Sequence, residues 1–299
     1  MAKKQAIEGK GKKPRQTSWN DMDADILLKI FASLSVLDLV IRISGVCKSW
    51  RSLLQEPILW KTTLDLSMFR NYFLSQNLDR ANERGLYFFK IAMNRSSLQP
   101  KKLIFDITPT INDKFLIYVA ERCPNLKELV VPSTQYIREG AIAKAFEFWG
   151  SLESLFISFY SCLPSNTIFE NIGAKCKNLT VLKIRSCMFG KETAATISKW
   201  MPGLKVFRIR CAEITKDTAE ILVDTMVNLE ELYLSISGIG HESPSTQHRF
   251  LPPLQDESMK LKVTRLRMFH FCVGYCQPCI AVTEGYSSLG DFYFFYVNL

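Results

Sequence analysis

The chain has 299 residues, enough for one large domain or two smaller ones. Hydrophobic residues make up 47% of it and charged residues 22%, which is typical of a globular chain with ample material for a core. No apolar run approaches the roughly 18 residues that a membrane crossing needs, and Met1 to Lys4 lacks the apolar character of a secretory signal. Nine cysteines without a regular framework suit a reduced compartment. Composition therefore argues against membrane and secreted classes and predicts a protein of the nucleus and/or cytoplasm.

Basic charge is concentrated at the amino end. The formal net charge is +9, and the first fifteen residues hold six lysines and arginines against one acid, Glu8. We expect residues 1–17 to form a disordered basic arm, because they contain almost nothing to bury. Such an arm is typical of a nuclear-import signal, of a non-specific nucleic-acid contact or of a solvated tail, and the sequence leaves these readings open.

The sequence from Trp19 to Leu66 predicts three short helices with more apolar surface than they can bury among themselves. Its apolar residues recur at helical spacing in two neighbouring stripes, Ile26, Ile30 and Leu34 in one and Leu27 and Phe31 in the other. Asp21 and Asp23 stand before these stripes as candidate helix caps. A bundle of about 45 residues cannot cover two sides of one helix by itself. One stripe is therefore predicted to pack inward, and the other to require a protein partner.

This stretch resembles the F-box, the module that binds the Skp-family adaptor of cullin-based ubiquitin ligases. The matching elements are Asp25 to Phe31, Asp38-Leu39, Val46-Cys47-Lys48, Trp50-Arg51, Leu59-Trp60 and Leu64 to Leu66. Two departures stand out, since Met22-Asp23 replaces the usual leucine-proline pair and Asp38 to Val46 is one residue longer than the common form. The resemblance implies an F-box over residues 18–66, whereas the alternative is an ordinary three-helix cap on a larger domain.

The same resemblance implies an adaptor-binding surface. Its candidate residues, either at the contact face or in direct support of it, are Trp19, Met22, Ile26, Ile30, Phe31, Leu34, Leu39, Val46 and Trp50. Some of these residues must belong to the internal core, and the sequence does not sort the two groups.

Beyond a linker region at residues 67–99, which holds a predicted helix from Asp79 to Arg95, the chain repeats itself. Five short alternating segments begin at Leu126, Leu152, Leu179, Leu204 and Leu229, at intervals of 26, 27, 25 and 25 residues. Leu103 with Phe105 fits one period earlier, and Val263, Leu266 and Met268 fit one period later. Helices are predicted between the segments, at 139–148, 166–176, 191–200 and 215–226.

No single unit of this kind closes a core, so neighbouring units must stack. The pattern resembles the cysteine-containing leucine-rich repeats that often follow an F-box. The predicted fold is therefore α+β, with a three-helix F-box followed by an α/β solenoid of parallel strands inside and helices outside. The repeats are expected over residues 100–270, and they include a proline-containing loop from Ser243 to Glu257. Residues 271–299 are expected to form an irregular tail.

Strand residues that alternate with the core leucines are predicted to share a concave face. Four cations, Lys183, Arg185, Arg208 and Arg210, should cluster there on two adjacent strands about 4.8 Å apart. Phe156 and Tyr233 flank them as candidate aromatic anchors. Because arginine forks suit carboxylates and phosphates, these six residues are candidates for binding an acidic or phosphorylated client. The alternative is a strand face that is exposed to solvent and binds no client.

The chain offers little for catalysis. None of its three histidines, His241, His248 and His270, has an evident acid–base partner, and a phosphate-binding loop before Gly190-Lys191 is ruled out by Arg185. His270, Cys272, Cys276 and Cys279 crowd into ten residues without the second, distant pair of ligands that structural zinc requires. We predict no catalytic residue, no metal site and no cofactor.

The resemblance implies a non-catalytic, substrate-recognition subunit of a Skp–cullin–F-box ubiquitin ligase. In this reading the F-box binds the adaptor and, through it, a cullin, while the repeats hold a client protein. The alternatives are an adaptor-bound sensor of a small anionic ligand or hormone, and a protein-binding scaffold unrelated to ubiquitin. A nucleic-acid binder rests on the basic arm alone, and no membrane partner is expected.

Overall fold

A computed structural model describes residues 19, 22–36, 38–60, 63–66, 86–87, 89–91, 93–94, 99–105, 111–159, 164–186, 188–211, 214–236 and 257–273. The chain divides into two compact units, one of Met1–Trp60 with Arg95–Ser97 and the other of Lys61–Asn94 with Leu98–Leu299. The predictions for the basic arm, for the loop at 243–256 and for the tail from residue 274 lie outside the described residues.

The first unit is helical. It consists of α1 (Ala24–Ala32), a π-helical turn (Asp38–Ile43), α2 (Ser44–Val46), α3 (Lys48–Leu53) and a 3₁₀ turn (Pro57–Leu59). Asp23 caps α1, because its carboxylate accepts a hydrogen bond from the Asp25 amide at 2.8 Å. Asp21 lies outside the described residues.

A π-helical turn lies in the segment from Asp38 to Val46, which the sequence comparison predicted to be one residue longer than the common form. A π turn has one more residue per hydrogen-bonded loop than an α turn, so its geometry suits an extra residue at this place. Ser35 holds the start of the turn, since the Ser35 hydroxyl accepts from the Asp38 amide at 3.1 Å and donates to the Asp38 carboxylate at 2.7 Å.

The second unit is built on an eight-stranded parallel sheet whose strands lie side by side in chain order. The strands are β1 (Thr63–Asp65), β2 (Lys102–Ile104), β3 (Glu128–Val131), β4 (Ser154–Ser158), β5 (Val181–Arg185), β6 (Val206–Cys211), β7 (Glu231–Ile236) and β8 (Met268–Val273). Every connection between parallel neighbours runs in the same direction. Parallel crossovers are almost always right-handed, and the consecutive described helices between residues 113 and 263 contact one another, so these helices lie on one face of the sheet.

Six helices of this unit have described bounds. They are α4 (Asp113–Arg122), α5 (Glu139–Phe146), α6 (Asn166–Lys175), α7 (Lys191–Trp200), α8 (Lys216–Thr225) and α9 (Glu257–Val263). Residues 86–87, 89–91 and 93–94 are also helical, and Phe89 packs edge-on against Phe115 of α4 at 5.8 Å. No helix among the described residues has the length and apolar character needed to cross a membrane.

The core residues of the strands form one continuous column across the sheet. Consecutive register partners are Leu64, Leu103, Leu129, Leu155, Leu182, Phe207 and Leu232, and all of them are buried. The predicted repeat and the α+β fold are thus confirmed. Two edges differ from the sequence prediction: β1 extends the sheet into the stretch assigned to the F-box, and β8 carries residues 271–273 that were assigned to the tail.

Buried cysteines and a tryptophan connect neighbouring repeats behind the sheet. The indole nitrogen of Trp149 donates to the Cys123 carbonyl at 3.2 Å, and the Cys176 thiol donates to the Trp149 carbonyl at 3.4 Å. Burial raises the pKa of Cys123 and of Cys176 to about 12, so both remain protonated thiols. Both are small buried residues of the core.

Helix α6 lies close against the end of α7 at Gly173. A methyl group there would lie 2.6 Å from the Trp200 carbonyl oxygen, which is backbone and cannot swing aside. We expect Gly173→Ala to lower the free energy of unfolding by about 1–3 kcal/mol, as overpacking does. Denaturant unfolding followed by circular dichroism measures this change. The matched control is Gly140→Ala in α5, where a methyl group meets no atom within 4 Å and should be neutral or stabilising. Equal effects of the two substitutions would contradict the close contact.

Candidate functional site

Helix α1 buries one of its two apolar stripes and exposes the other. Leu27 and Phe31 are 3% and 1% exposed, whereas Ile26 and Ile30 are 50% and 39% exposed. Residues four apart on a helix are neighbours, so Ile26 and Ile30 present adjoining apolar side chains to solvent. This helix therefore carries an uncovered apolar strip.

Three further large apolar side chains of the same unit are exposed. They are Trp19, Val46 and Ile58, of which Ile58 is the most exposed at 73%. Large exposed apolar residues gathered in one small unit are typical of a protein-binding surface. Ile58 was not among the adaptor-binding residues predicted from the sequence. Its signal was available, because it lies beside Leu59 and Trp60, which are buried, and three consecutive apolar residues cannot all turn inward.

The remaining predicted adaptor-binding residues differ in how deeply their side chains are buried. Met22, Leu34 and Trp50 are half-buried, while Phe31 and Leu39 are each 1% exposed. Phe31 and Leu39 therefore belong to the core and support the surface from below. Of the two positions predicted for this set, at the contact face or in support of it, these two residues occupy the supporting one, since a partner could reach them only by opening the unit.

Trp50 joins the surface to this core. Its ring lies edge-on to Phe31 at 5.1 Å and to Trp19 at 6.4 Å between ring centroids. The backbone amide of Trp50 is held by the Cys47 sulfur at 3.4 Å, which caps α3. The exposed Trp19 is thereby anchored through Trp50 to a fixed core residue, and such rigid aromatic anchors favour binding.

A second surface is the sheet face opposite the helices, which we call the open face. Its described side chains, by register, are Thr63, Asp65, Lys102, Ile104, Glu128, Val130, Ser154, Phe156, Ser158, Val181, Lys183, Arg185, Val206, Arg208, Arg210, Glu231, Tyr233, Ser235, Met268 and His270. Lys183 lies opposite Arg208 in the register of β5 and β6, and Arg185 lies opposite Arg210. The predicted grouping of the four cations on adjacent strands is confirmed.

Arg208 is held from two sides. Its Nη2 atom pairs with the Glu231 carboxylate at 3.2 Å, and its guanidinium carbon lies 4.3 Å from the centroid of the Tyr233 ring. Glu231 is nearly buried and also pairs with Arg267. Sequence reasoning missed this internal counter-charge. Glu231 lies diagonally across from Arg208 in the register, a position close enough for long side chains to meet.

Lys183 has no ion-pair partner among the described residues. Burial, followed by the positive charges of Arg208 and Lys102, lowers its pKa from 10.5 to about 8, although Glu128 and Glu231 oppose the shift. At pH 7 the amine is therefore still mostly charged, but its neutral fraction is much larger than that of an ordinary lysine. Keeping the amine charged in this position costs free energy, and a nearby anion would offset that cost.

The two aromatic residues predicted as anchors differ in access. Tyr233 is half-buried between Arg208 and His270, whose ring centroid lies 5.4 Å from its own. Phe156 is only 6% exposed, so the expectation that its ring is presented to a client is corrected. Its register neighbours are Val130 of β3 and Lys183 of β5, and Ile104 lies one strand beyond Val130.

The part of the chain that the structure describes holds no cluster of metal ligands. No three histidine, cysteine or acidic side chains gather there as metal ligands. His270 is exposed on β8 beside Tyr233, while Cys276 and Cys279 of the weak zinc candidate lie outside the described residues. The chemistry on view is that of two binding surfaces.

Comparison with known proteins bears on the first of these surfaces. Residues 19–62 match the F-box domain family, a span that contains all the exposed apolar residues described above. An F-box/LRR-repeat protein of Arabidopsis thaliana is 32% identical over 275 residues, which cover 89% of this chain and 88% of that protein.

Two further relatives come from the same plant. An F-box protein is 25% identical over 258 residues, covering 73% of this chain and 77% of that protein. The F-box protein SKIP1 is 25% identical over 229 residues, covering 75% of this chain and 72% of that protein. All three alignments run well beyond the F-box match into the repeats.

The lowered pKa of Lys183 is open to measurement through its reactivity, since only the neutral amine is acylated. In the intact chain we expect acetic-anhydride labelling of Lys183 to follow a titration with a midpoint near 8. Peptide mass spectrometry across a pH series measures it, with exposed Lys144 of α5 as the reference lysine. Arg208→Gln removes one of the nearby charges and should move the midpoint upward. A midpoint near 10.5 would refute the effect of burial on the pKa of Lys183. A midpoint that is the same in the Arg208→Gln variant would refute the effect of the Arg208 charge.

Proposed function

This chain belongs to the F-box/LRR-repeat family, and on that premise we propose that it is a substrate-recognition subunit of a Skp–cullin–F-box ubiquitin ligase. The F-box unit binds the Skp-family adaptor, and the repeat unit binds a client protein. The observation that carries this proposal is the uncovered strip of Ile26 and Ile30 on α1, which a partner protein would remove from water.

The mechanism is positional. Binding to the adaptor places the chain on the cullin, and binding to the client places client lysines near the ubiquitin-conjugating enzyme. Tethering of this kind makes the second encounter intramolecular, with effective concentrations on the order of millimolar for short connections. The transfer chemistry belongs to other subunits, so no catalytic residue and no cofactor is assigned to this chain. We place its action in the nucleus and/or cytoplasm, in keeping with the free thiols of Cys47, Cys123 and Cys176.

The open face is the proposed client surface. Lys183, Arg185, Arg208 and Arg210 pair across β5 and β6, and Tyr233 adds an aromatic edge beside them. Positive charge at this density favours an acidic or phosphorylated segment, because guanidinium groups donate paired hydrogen bonds to carboxylate and phosphate oxygens. Phe156 takes no part in this surface because it is buried.

Adaptor binding should fail when the apolar strip of α1 is made acidic. The double substitution Ile26→Asp with Ile30→Asp removes two side chains that adaptor binding would bury, and it places charges in their position. We expect affinity for the adaptor to fall by about a hundredfold or more, as for hot-spot residues worth roughly 3 kcal/mol together. Co-purification with adaptor and cullin, followed by titration calorimetry, measures the loss.

Two other substitutions in α1 serve as controls. Lys29→Ala alters an exposed polar position of the same helix and should leave adaptor affinity unchanged. Leu27→Ala should act through folding instead, by lowering the stability of the F-box unit by about 2–5 kcal/mol. Undiminished adaptor binding by the double aspartate variant would refute the proposed surface, and adaptor binding without cullin would favour a scaffold unrelated to ubiquitin.

Client recognition should depend on the charge of the open face. We expect Arg185→Glu with Arg210→Glu to abolish ubiquitination of clients by the reconstituted ligase, since reversed charges repel an acidic segment. Adaptor and cullin binding should remain at the level of the unaltered chain. Quantitative mass spectrometry of ubiquitinated peptides measures the first effect and co-purification the second. An unchanged set of ubiquitinated proteins would show that the client binds elsewhere.

A further inference from the structure

The open face carries one amine whose neighbours disfavour its positive charge. Lys183 of β5 has Arg208 of β6 as its direct register partner, so the two side chains leave the sheet side by side on strands about 4.8 Å apart. The register neighbour of Lys183 on β4 is the buried Phe156. The Lys183 side chain is half-buried, and no described residue forms an ion pair with it. Less solvent and counter-charge are therefore available to an ammonium group here than on an open surface.

Four charged groups on other strands act on the Lys183 amine. Arg208 and Lys102 exert the larger effects, and both disfavour a positive charge there. Glu128 and Glu231 act in the opposite direction and more weakly, and each is already paired with a cation. Because a Coulomb interaction changes sign with the charge, the same surroundings favour a negative group at the end of this side chain.

Arg208 lacks part of the hydrogen bonding that a buried guanidinium group requires. Its Nη2 atom pairs with Glu231 at 3.2 Å, whereas Nε and Nη1 are buried and have no acceptor within the described part of the chain. Buried donors are almost always paired in native structures. Since these two atoms are closed to solvent, an adjoining side chain can supply an acceptor more readily than a ligand from outside. Lys183 is such a neighbour, but an ammonium group has only donors.

We propose that Lys183 is a site of carbamate formation, at which its amine adds carbon dioxide and the new carbamate oxygens accept a hydrogen bond from the Arg208 guanidinium group. The nitrogen lone pair forms the new N–C bond, the electron pair of one C–O π bond moves onto oxygen, and one N–H proton leaves to water. The step involves no oxidation or reduction and no leaving group other than this proton. It turns a cation of the open face into an anion beside Arg208, and it does not depend on the ligase role.

Carbon dioxide suits this position for two reasons. It is small and uncharged, so it can reach a half-buried amine without displacing the side chains around it. Only the neutral amine reacts with it, and burial together with the charge of Arg208 lowers the pKa of Lys183 to about 8. About half of the amine is therefore neutral at a pH of about 8, compared with less than about 1% of an ordinary lysine.

The modification can be trapped in the full chain. The protein is equilibrated with isotopically labelled bicarbonate at a pH of about 8. Triethyloxonium then converts carbamates into stable ethyl esters, which peptide mass spectrometry locates. We expect at least about tenfold more label on Lys183 than on the exposed Lys144 of α5. An absence of label on Lys183, or no more than on Lys144, would overturn the proposal.

A ratio of two labels separates stabilisation of the carbamate from simple reactivity of the amine. Acetic anhydride, used in a parallel sample, reports the neutral amine alone, so the ratio of carbamate to acetyl label measures how well the anion is held. We expect Arg208→Gln to lower this ratio about tenfold, because it removes the positive charge and the guanidinium donors beside Lys183. Lys102→Gln removes the second cation and should lower the ratio in the same direction. Thermal unfolding verifies that each variant is folded.

Lys199→Gln is the matched control, since it removes one positive charge from α7 on the opposite, helical side of the sheet. The ratio of carbamate to acetyl label on Lys183 should stay at the value of the unaltered chain. A ratio that is unchanged in folded Arg208→Gln and Lys102→Gln variants would overturn the role of these two cations and, with it, the site. An equal fall in Lys199→Gln would overturn it as well, because net charge alone would then explain the label.

Discussion

Each repeat of the sheet buries its strand only by stacking on the next repeat, and this stacking fixes the register of every strand. The column from Leu64 to Leu232 is the visible result. Because the buried residues are aligned, the residues between them are aligned as well on the opposite face. Side chains that are 25 residues apart in sequence, such as Lys183 and Arg208, become lateral neighbours. The arrangement of charge on the open face is thus a consequence of how the core packs.

In the F-box unit, helix α1 is apolar on two sides and only one of them is buried. Its core uses Leu27 and Phe31, and the aromatic contacts of Trp50 extend that core to Trp19 at the surface. Ile26 and Ile30 are left over on the other side. The exposed apolar strip of the unit therefore follows from its small size, since a bundle of this length cannot enclose a helix that is apolar on two sides.

The stacked architecture of the repeats could be predicted from periodicity, because a repeat of 25 to 27 residues allows few arrangements other than stacked strand–helix units. It could not separate Ile30 from Phe31, since both are apolar and adjacent and only the packing of the neighbouring turns decides which one is covered. It also assigned Phe156 to solvent from its strand position alone. Glu231 was visible on the predicted face, but its pairing with Arg208 and Arg267 depends on side-chain reach across strands, which spacing does not specify.

The double restraint on Arg208 has an entropic consequence. An arginine that is free in solvent loses up to about 2 kcal/mol of rotamer freedom when a ligand immobilises it. Here the Glu231 carboxylate and the Tyr233 ring have already frozen most of those rotations before any ligand arrives. The Arg208 guanidinium group is therefore preorganised, so a partner that contacts it would retain more of its contact energy as affinity and would dissociate more slowly than from a mobile side chain.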